Sequence, residues 1–199
     1  MASVDSDIPT TERGLPQALK ILVAGGFGAG KTTLVGSVSE ITPLSTEEIM
    51  TEASLGVDDL KGVEAKTTTT VALDFGRITI NPELVLYLFG TPGQQRFWFM
   101  WDELATGTLG VVVLADTRRL DTCFSAVDFF ERRGIPFVVA VNRFEGAADY
   151  TRDEVREALD VGSDVPIVPA DARQRDSGKE VLLTLVEHVI RRRSPISTG

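Results

Sequence analysis

The sequence predicts an α/β fold with a six-stranded, mostly parallel sheet, one antiparallel strand and helices on both faces of the sheet. Short apolar runs alternate with helical patterns along most of the chain, which is typical of a parallel sheet wrapped by helices. The first apolar run leads directly into a glycine-rich loop that opens a helix. Two later apolar runs are separated by the turn signal Asn81-Pro82, which predicts a pair of adjacent antiparallel strands.

The individual elements follow from these patterns. We expect six strands, at Ala18–Ala24, Thr68–Ile80, Leu84–Phe89, Gly110–Ala115, Phe137–Asn142 and Val165–Pro169. We expect helices at Lys31–Glu40, Cys123–Arg132, Thr151–Leu159 and Gly178–Arg192. The polar stretch from Ile41 to Lys66 is too long for an ordinary connection, which marks it as a mobile or functional segment.

Chain length and composition favour one globular domain. With 199 residues and 43% apolar content, the chain can bury a sizeable core. We assign this domain to residues 15–193 and expect flexible segments at residues 1–14 and 194–199. No run of about 18 apolar residues occurs, so no transmembrane helix is expected. The acidic, polar start lacks the pattern of a signal peptide, and the final residues lack a prenylation box.

Net charge and cysteine content narrow the class of function. A net charge of −9 argues against general binding to nucleic-acid phosphates. The single cysteine, Cys123, excludes an internal disulfide framework and suits a reducing cytoplasm, where we expect the protein, free or at the periphery of a membrane-associated complex. The run Arg191-Arg192-Arg193 is either a cationic last helical turn or a contact to a membrane or nucleic acid.

A phosphate-binding loop follows the first predicted strand. Gly25 to Thr32 match the pattern G-x-x-x-x-G-K-[ST] in full and open a helix. Glycines let the backbone approach a phosphate closely, and successive N–H groups then form an anion nest at the positive end of the helix dipole. Lys31 is expected to neutralise the β- and γ-phosphates, and the Thr32 hydroxyl to ligate Mg²⁺. The expected nucleotide-binding residues are Gly25, Gly26, Phe27, Gly28, Ala29, Gly30, Lys31, Thr32 and Thr33.

Four further motifs accompany the later strands. They are Thr70-Val71-Ala72-Leu73-Asp74-Phe75, Gly90-Thr91-Pro92-Gly93-Gln94, Asn142-Arg143-Phe144-Glu145 and Ala170-Asp171-Ala172-Arg173. In order and spacing they are similar to the T-I-G-V-D-F, D-T-A-G-Q, N-K-x-D and S-A-K elements of small GTPases. With the phosphate loop they cover residues 20–192. The chain therefore resembles the bacterial Ras-like GTPases related to MglA, within the conservon-type branch that includes MfpB.

This resemblance implies a Ras-like G domain, a P-loop NTPase fold that binds GTP or GDP with Mg²⁺. It assigns sensing of the γ-phosphate to Gly93, orientation of the attacking water to Gln94, and a Mg²⁺ contact to Thr70, with Thr69 as the alternative. It assigns recognition of the guanine base to Asn142, Arg143, Glu145, Asp171, Ala172 and Arg173. It also implies a protein partner of the roadblock (MglB-like) type, a sensor kinase or a pentapeptide-repeat protein.

Three positions depart from the usual GTPase pattern. Gly90 replaces the aspartate that begins the second switch segment, and Asp116 is either its substitute or an ordinary cap or loop residue. Glu145 replaces the guanine-reading aspartate, and its extra methylene is expected to weaken the preference for guanine. Phe27 places a bulky ring at the phosphate loop, where it is expected to obstruct an arginine supplied by a partner.

These departures leave three classes of function. The first is a slow GTPase switch with turnover on the order of 10⁻⁴ to 10⁻² per second, since no arginine lies within residues 67–70. The second is a nucleotide-binding scaffold without hydrolysis. The third is an ATPase or small-molecule kinase, for which Asp116 and Arg118-Arg119 would supply the strand-end carboxylate and the lid.

An aromatic run, Phe97 to Trp101, follows the second switch segment. Successive bulky residues in a helix or strand cannot all face one side, so at least one is expected at the surface. An exposed ring there would be either a partner contact or the end of a packed cluster.

Overall fold

The computed structural model describes residues 15–51, 68–93 and 99–193, and the side chains of residues 45–51 and 68–72 lie outside this description. The elements in chain order are β1 (Gln17–Gly25), α1 (Lys31–Val38), β2 (Leu44–Thr51), β3 (Thr68–Asn81), β4 (Leu84–Gly90), α2 (Trp101–Ala105), β5 (Thr108–Ala115), α3 (Phe124–Arg132), β6 (Phe137–Asn142), α4 (Arg152–Leu159), β7 (Ile167–Ala170) and α5 (Arg175–Arg193). A short 3₁₀ turn, Leu120–Cys123, precedes α3.

The described strands form one seven-stranded sheet in the spatial order β2-β3-β4-β1-β5-β6-β7. β3 is antiparallel to both of its neighbours, β2 and β4. The pairs β1–β4, β1–β5, β5–β6 and β6–β7 are all parallel. The predicted α/β class, the six predicted strands and the antiparallel strand are therefore confirmed.

The additional strand, β2, lies within the polar stretch that was predicted to be a mobile or functional segment. It forms the edge of the sheet and pairs with β3 from Leu44–Phe75 to Thr51–Thr68. Its sequence is rich in Ser, Thr and Glu, a composition that resembles a loop. An edge strand needs hydrogen-bonding partners on one side only and tolerates polar residues, so the apolar pattern did not reveal it. Residues 52–67 of the same stretch lie outside the described residues.

The central strand β1 is buried on both faces because its side chains alternate between two hydrophobic clusters. Ile21 and Val23 belong to the cluster that α1 and α5 cover. Leu22 and Ala24 belong to the cluster on the other face, which α2, α3 and α4 cover. The predicted placement of helices on both faces is confirmed.

The helices occur close to their predicted positions. α1 ends at Val38 rather than at Glu40, and α5 begins at Arg175 rather than at Gly178. α4 begins after Thr151, whose hydroxyl accepts a hydrogen bond from the Glu154 N–H while the Glu154 carboxylate accepts one from the Thr151 N–H. Within the described residues, no helix combines the length and apolarity that crossing a membrane requires.

The aromatic run divides between core and surface. Trp101, in the five-residue helix α2, is 3% exposed and stacks on Phe130 at 5.8 Å between ring centroids. Phe99 is 60% exposed, which confirms that at least one aromatic residue of the run reaches the surface. Residues 97 and 98 lie outside the described part of the chain.

The predicted motifs lie together at one edge of the sheet. Because β1, β4, β5, β6 and β7 are parallel, their carboxyl ends meet at that edge, where α/β proteins commonly bind ligands. Antiparallel β3 reaches the same edge, since Asp74 is the register partner of Gly90 at the end of β4.

Candidate functional site

The loop from β1 to α1 folds as a cradle at the amino end of α1. Gly28 and Gly30 have φ values of +76° and +104°, in the left-handed region that residues with a side chain rarely adopt. Gly30 is the N-cap of α1 and has no side chain to cap the helix. The first N–H groups of α1 therefore remain available to an anion beside the positive end of the helix dipole.

Lys31 lies inside this cradle and is only 9% exposed. Its Nζ donates hydrogen bonds to the carbonyl oxygens of Gly26 at 2.7 Å and Gly25 at 3.0 Å. Burial lowers the pKa of Lys31 to about 8, and attraction to the Asp74 carboxylate opposes part of that shift. A phosphate anion in contact with Nζ would favour the charged amine, because the pair would interact in a low-dielectric surrounding.

Gly93 borders the cradle from the loop after β4. An ideal Cβ at residue 93 would lie 2.6 Å from Lys31 Nζ and 3.0 Å from the backbone nitrogen of Phe27. The backbone of Gly93 therefore lies beside the lysine, where a side chain would not fit. Gln94 lies outside the described residues, and its assigned role stays a prediction.

Thr32 contacts a carboxylate that the sequence analysis did not single out. The Thr32 hydroxyl donates a 2.6 Å hydrogen bond to Asp74 Oδ2. Asp74 is 7% exposed, and an ideal Cβ at Gly90 would lie 2.9 Å from its Oδ2. Asp74 thus lies beside Gly90, the position at which the resemblance to GTPases predicts an aspartate. An acidic residue in a strand with apolar neighbours, opposite a glycine that replaces an aspartate, was the signal that could have found it.

Asp116 contacts Arg118 rather than the cradle. Its buried carboxylate accepts hydrogen bonds from Arg118 Nε at 2.9 Å and Arg118 Nη2 at 2.8 Å. These bonds from Arg118 hold the pKa of Asp116 below its usual value. The sheet order explains why Asp116 is not beside Gly90: β1 lies between β4 and β5. Of its two predicted roles, the geometry therefore favours the loop residue over the substitute aspartate.

The other predicted metal contact is only partly described. Thr70 pairs with Ile49 in the β2–β3 ladder, four residues before Asp74. Its side chain, like that of Thr69, lies outside the description, so the choice between these threonines stays a prediction. Thr33, in the first turn of α1, is exposed.

A buried amide joins the cradle to the last strands. Asn142, at the end of β6, is 5% exposed. Its Nδ2 donates to the carbonyl oxygen of Ala29 at 2.9 Å, and its Oδ1 accepts from the Ala172 N–H at 3.0 Å. The N–H of Arg143 donates to the carbonyl oxygen of Ala170 at 2.8 Å. Hydrogen bonds therefore join the phosphate loop to the motifs after β6 and β7, which were predicted separately.

The remaining residues of the last two motifs line the outer part of the site. Arg143 and Glu145 are exposed on the loop after β6. Arg173 donates to both carboxylate oxygens of Asp171, at 2.8 Å and 2.9 Å, and this ion pair lowers the pKa of Asp171. A cavity of about 500 Å³ opens beside them, and its lining includes Asn142, Arg143, Asp171, Phe144 and Tyr150.

Arg118 connects β5 to the same loop. While its nitrogens bind Asp116, its Cζ lies 3.9 Å from the centroid of the Phe144 ring. This distance is within the range of a cation–π contact. Phe144 stands between Arg143 and Glu145 in the sequence, so Arg118 supports the loop that carries both.

Comparisons with known proteins agree with a P-loop fold. A family model described as "Conserved hypothetical ATP binding protein" matches residues 23–192. The uncharacterized protein MJ1339 of Methanocaldococcus jannaschii is 27% identical over 172 residues, which are 85% of this chain and 96% of that relative.

Two solved structures of the cytosolic domain of the FeoB iron transporter of T. maritima have a similar fold. The GDP form has a TM-score of 0.62 at 17% identity, over 88% of this chain and 65% of that chain. The apo form has a TM-score of 0.60 at 16% identity, over 87% of this chain and 64% of that chain. The chain therefore spans about 65% of the length of the first structure, and the likeness concerns the fold.

The family match agrees with the site geometry. It includes the phosphate loop with Lys31, the Asp74–Thr32 contact and the Asn142 bridge. The chain belongs to the family described as conserved hypothetical ATP binding protein, whose match extends over residues 23–192.

Proposed function

We propose that the protein is a Mg²⁺-dependent GTP-binding switch with slow intrinsic hydrolysis. One observation carries the proposal: Asn142 joins Ala29 of the phosphate loop to Ala172 of the loop after β7. A loop that held phosphate alone would not need a buried amide fixed to both neighbours. A nucleotide bound along this bridge would have its phosphates at Lys31 and its base at the loops after β6 and β7.

The chemistry of the outer loop favours guanine. Glu145 lies on the loop after β6, and a carboxylate can accept hydrogen bonds from the N1 and N2 donors of guanine. Adenine lacks both of these donors on that edge, since its N1 is an acceptor. The stem of Arg143 can lie along the base. Asp171, Ala172 and Arg173 would close over the base from the loop after β7.

The oxygen atoms at the cradle fit Mg²⁺, which prefers oxygen ligands and usually retains several waters. The Thr32 hydroxyl oxygen lies 2.6 Å from Asp74 Oδ2, so a hydroxyl oxygen and a carboxylate oxygen are available together. We assign Thr32 to the metal, Asp74 to the role of the missing second-switch aspartate, and Thr70, or alternatively Thr69, to a further contact with GTP bound. When bound, the ion neutralises charge on the β- and γ-phosphate oxygens.

Hydrolysis needs little covalent participation from the protein. The oxygen of a water forms a bond to the γ-phosphorus while the bond to the β–γ bridging oxygen breaks, which gives GDP and inorganic phosphate. Lys31 would neutralise the phosphate charge, the Gly93 N–H would hold the γ-phosphate, and Gln94 would orient the water. Without a partner we expect turnover on the order of 10⁻⁴ to 10⁻² per second.

The product of the reaction would be a change of shape that a protein partner reads. Contacts to the γ-phosphate would hold Thr70 and Gln94 in one arrangement, and hydrolysis would release that arrangement. Two exposed rings, Phe27 at 68% and Phe99 at 60%, lie in or just after the motifs that contact the phosphate, where a partner could bind. We propose that the protein is cytoplasmic and has a partner of the roadblock (MglB-like) type, with a sensor kinase or a pentapeptide-repeat protein as alternatives drawn from the resemblance.

ATP is the second candidate nucleotide, and the description of the family favours it. The strand-end aspartate that an ATPase would use at residue 116 is already bound by Arg118, which argues against this assignment. A scaffold that binds nucleotide without hydrolysis is the alternative to the switch. Gly90 in place of an aspartate and the ring of Phe27 at the cradle favour it.

The decisive measurement is the identity of the nucleotide that copurifies with the protein, determined by chromatography after denaturation. We expect GDP or GTP.

Competition of labelled GTP with unlabelled ATP, with Mg²⁺ or with EDTA, tests base choice and metal dependence, and equal competition by ATP would overturn the preference for guanine. Single-turnover hydrolysis with and without a roadblock-type protein separates switch from scaffold. Unaided turnover near one per second, or a Gln94→Leu variant with unchanged basal and stimulated rates, would contradict the proposed mechanism.

A further inference from the structure

We propose that Arg119 acts in cis on the γ-phosphate, in place of an arginine supplied by a partner. This inference rests on the proposed GTPase activity. Nη2 of Arg119 donates a 3.1 Å hydrogen bond to the carbonyl oxygen of Phe27, in the middle of the phosphate loop. The same nitrogen lies 3.2 Å from the position of an ideal Cβ on Gly28. The guanidinium therefore borders two residues of the cradle: Gly28, which has no side chain, and Phe27, whose ring is exposed.

The backbone around Arg119 is well fixed. The Arg119 N–H donates to the carbonyl oxygen of Asp116 at 2.9 Å, and the Thr122 N–H donates to the carbonyl oxygen of Arg119 at 3.1 Å. Thr122 also packs on the cradle, since an ideal Cβ on Gly26 would lie 2.2 Å from its Oγ1. The arginine therefore extends from a loop that is held directly against the phosphate loop, which reduces the entropy lost when it binds an anion.

The two neighbouring arginines are not equivalent. Arg118 forms two hydrogen bonds with Asp116 and packs on Phe144, so its charge is neutralised by a buried carboxylate. Arg119 Nη2 is 3.5 Å from Asp116 Oδ2, beyond a short hydrogen bond, and its side chain is 49% exposed. The Phe27 carbonyl is a neutral acceptor that a phosphate oxygen can replace, and a charge-assisted bond to phosphate is the stronger one. Arg119 thus has the longer and weaker of the two ion pairs with Asp116, and its guanidinium reaches the cradle.

This arrangement also accounts for the exposed ring of Phe27. The ring is 68% exposed and would stand in the path of an arginine that approaches from solvent. Arg119 already contacts the backbone of Phe27 and lies beside Gly28, so its guanidinium is at the cradle without an approach from solvent. During the transfer of the γ-phosphoryl group to water, its guanidinium would donate hydrogen bonds to the phosphate oxygens on which charge develops.

The test compares wild type, Arg119→Ala and Arg119→Lys, with Arg132→Ala as the matched control. Arg132 is on α3, its side chain is 77% exposed, and its loss removes the same charge away from the cradle. We would measure the Kd for GDP, single-turnover hydrolysis of GTP, and formation of a complex of GDP with aluminium fluoride, which mimics the transferring phosphoryl group. Thermal unfolding followed by circular dichroism checks that each variant folds.

We expect the wild type to form the aluminium fluoride complex without a partner and Arg119→Ala to lose it. Arg119→Ala should hydrolyse GTP slower by a factor on the order of 10², while its Kd for GDP changes less than threefold. Arg119→Lys should be intermediate, because it keeps the charge without the planar fork, and Arg132→Ala should match the wild type.

Wild-type rates and complex formation in Arg119→Ala would overturn the proposal and leave the GTPase function intact. An equal loss of GDP and GTP affinity with an unchanged rate for bound GTP would also overturn it, since Arg119 would then only support the loop. A wild-type protein that binds no nucleotide would instead contradict the proposed function itself. Binding of GTP without any hydrolysis would contradict both.

Discussion

Asp74 occupies the space that a side chain at residue 90 would need. The two residues are register partners across β3 and β4, and an ideal Cβ on Gly90 would lie 2.9 Å from Asp74 Oδ2 and 3.0 Å from Asp74 Cβ. The same carboxylate accepts the hydrogen bond from Thr32. One acidic side chain fits at this point of the cradle, and it extends from the neighbouring strand.

Exchanging the two positions tests this arrangement. Gly90→Asp alone should destabilise the protein by about 1–3 kcal/mol, because it overpacks the site and places two carboxylates in contact. Asp74→Ala alone should speed the release of nucleotide and reduce the effect of EDTA on that release. The double variant, Asp74→Ala with Gly90→Asp, should regain much of the stability and the Mg²⁺-dependent retention. Urea unfolding and nucleotide release measure both effects, and strictly additive changes would contradict the shared position.

Removing the Asn142 side chain should loosen both ends of the nucleotide site. Asn142→Ala leaves the Ala29 carbonyl and the Ala172 N–H without their buried partner, which should cost about 1–3 kcal/mol of stability. We expect GDP affinity to fall at least about tenfold, which corresponds to about 1.4 kcal/mol. Asn142→Asp is the informative companion, since it keeps the acceptor for Ala172 but faces the Ala29 carbonyl with a carboxylate. Isothermal titration with GDP decides the matter, and unchanged affinity in both variants would show the bridge to be dispensable.

Residue 145 should control the choice of base. Glu145→Asp shortens the side chain to the usual guanine-reading length and should raise the preference for GTP over ATP. Glu145→Gln replaces one acceptor oxygen with a donor and should lower that preference by at least about tenfold, because a charge-assisted hydrogen bond contributes about 1.5–3 kcal/mol. Because Glu145 is exposed, neither change should alter thermal stability. Competition between the two nucleotides is the measurement, and equal ratios in all three proteins would exclude Glu145 from base recognition.

Cys123 should be unreactive in the folded protein. Its side chain is fully buried, its thiol donates a 3.0 Å hydrogen bond to the Leu120 carbonyl, and burial raises the pKa of the thiol to about 12. A thiol reagent at pH 8 should label it only when the chain unfolds, because the thiolate is the reactive form. Rapid stoichiometric labelling of native protein would contradict this burial.

The same shift predicts a dependence of stability on pH. In the unfolded chain the thiol ionises near pH 9, whereas in the folded protein it stays protonated until about pH 12. The stabilising contribution is therefore complete below pH 9 and is lost as the pH rises through this window. Above about pH 9 the free energy of unfolding of wild type should fall more steeply with pH than that of Cys123→Ala, and parallel curves would argue against the raised pKa.

Local patterns predicted most of the fold. The apolar run of β1 and the glycine spacing that follows it are contiguous in sequence, so the strand, the loop and the start of α1 could be located together. Thr151 and Glu154 signal the start of α4 in the same local way. β2 was missed because an edge strand can be polar, and α2 because its five residues are too few to establish a helical period.

The parts of the site that were missed depend on which strands are neighbours. The carboxylate beside Thr32 belongs to Asp74 because β3 lies next to β4. Asp116 follows β5, which β1 separates from β4 and Gly90, and no local sequence pattern indicates this separation. The Arg119 contact with Phe27 likewise spans 92 residues of sequence. Spacing predicted which loops reach the edge of the sheet, but pairing between strands decides which side chains meet there.

The contact of Arg118 with both Asp116 and Phe144 has a consequence for how nucleotide selectivity can evolve. The segment that carries Arg143 and Glu145 is held by a cation between a buried carboxylate and an aromatic ring. The position of this segment therefore depends on two residues outside the motifs proposed to read the base. Substitutions at residue 116 or 118 would let that segment shift, so if the segment reads the base as proposed, relatives with unchanged residues 143 and 145 would differ in the purine they prefer.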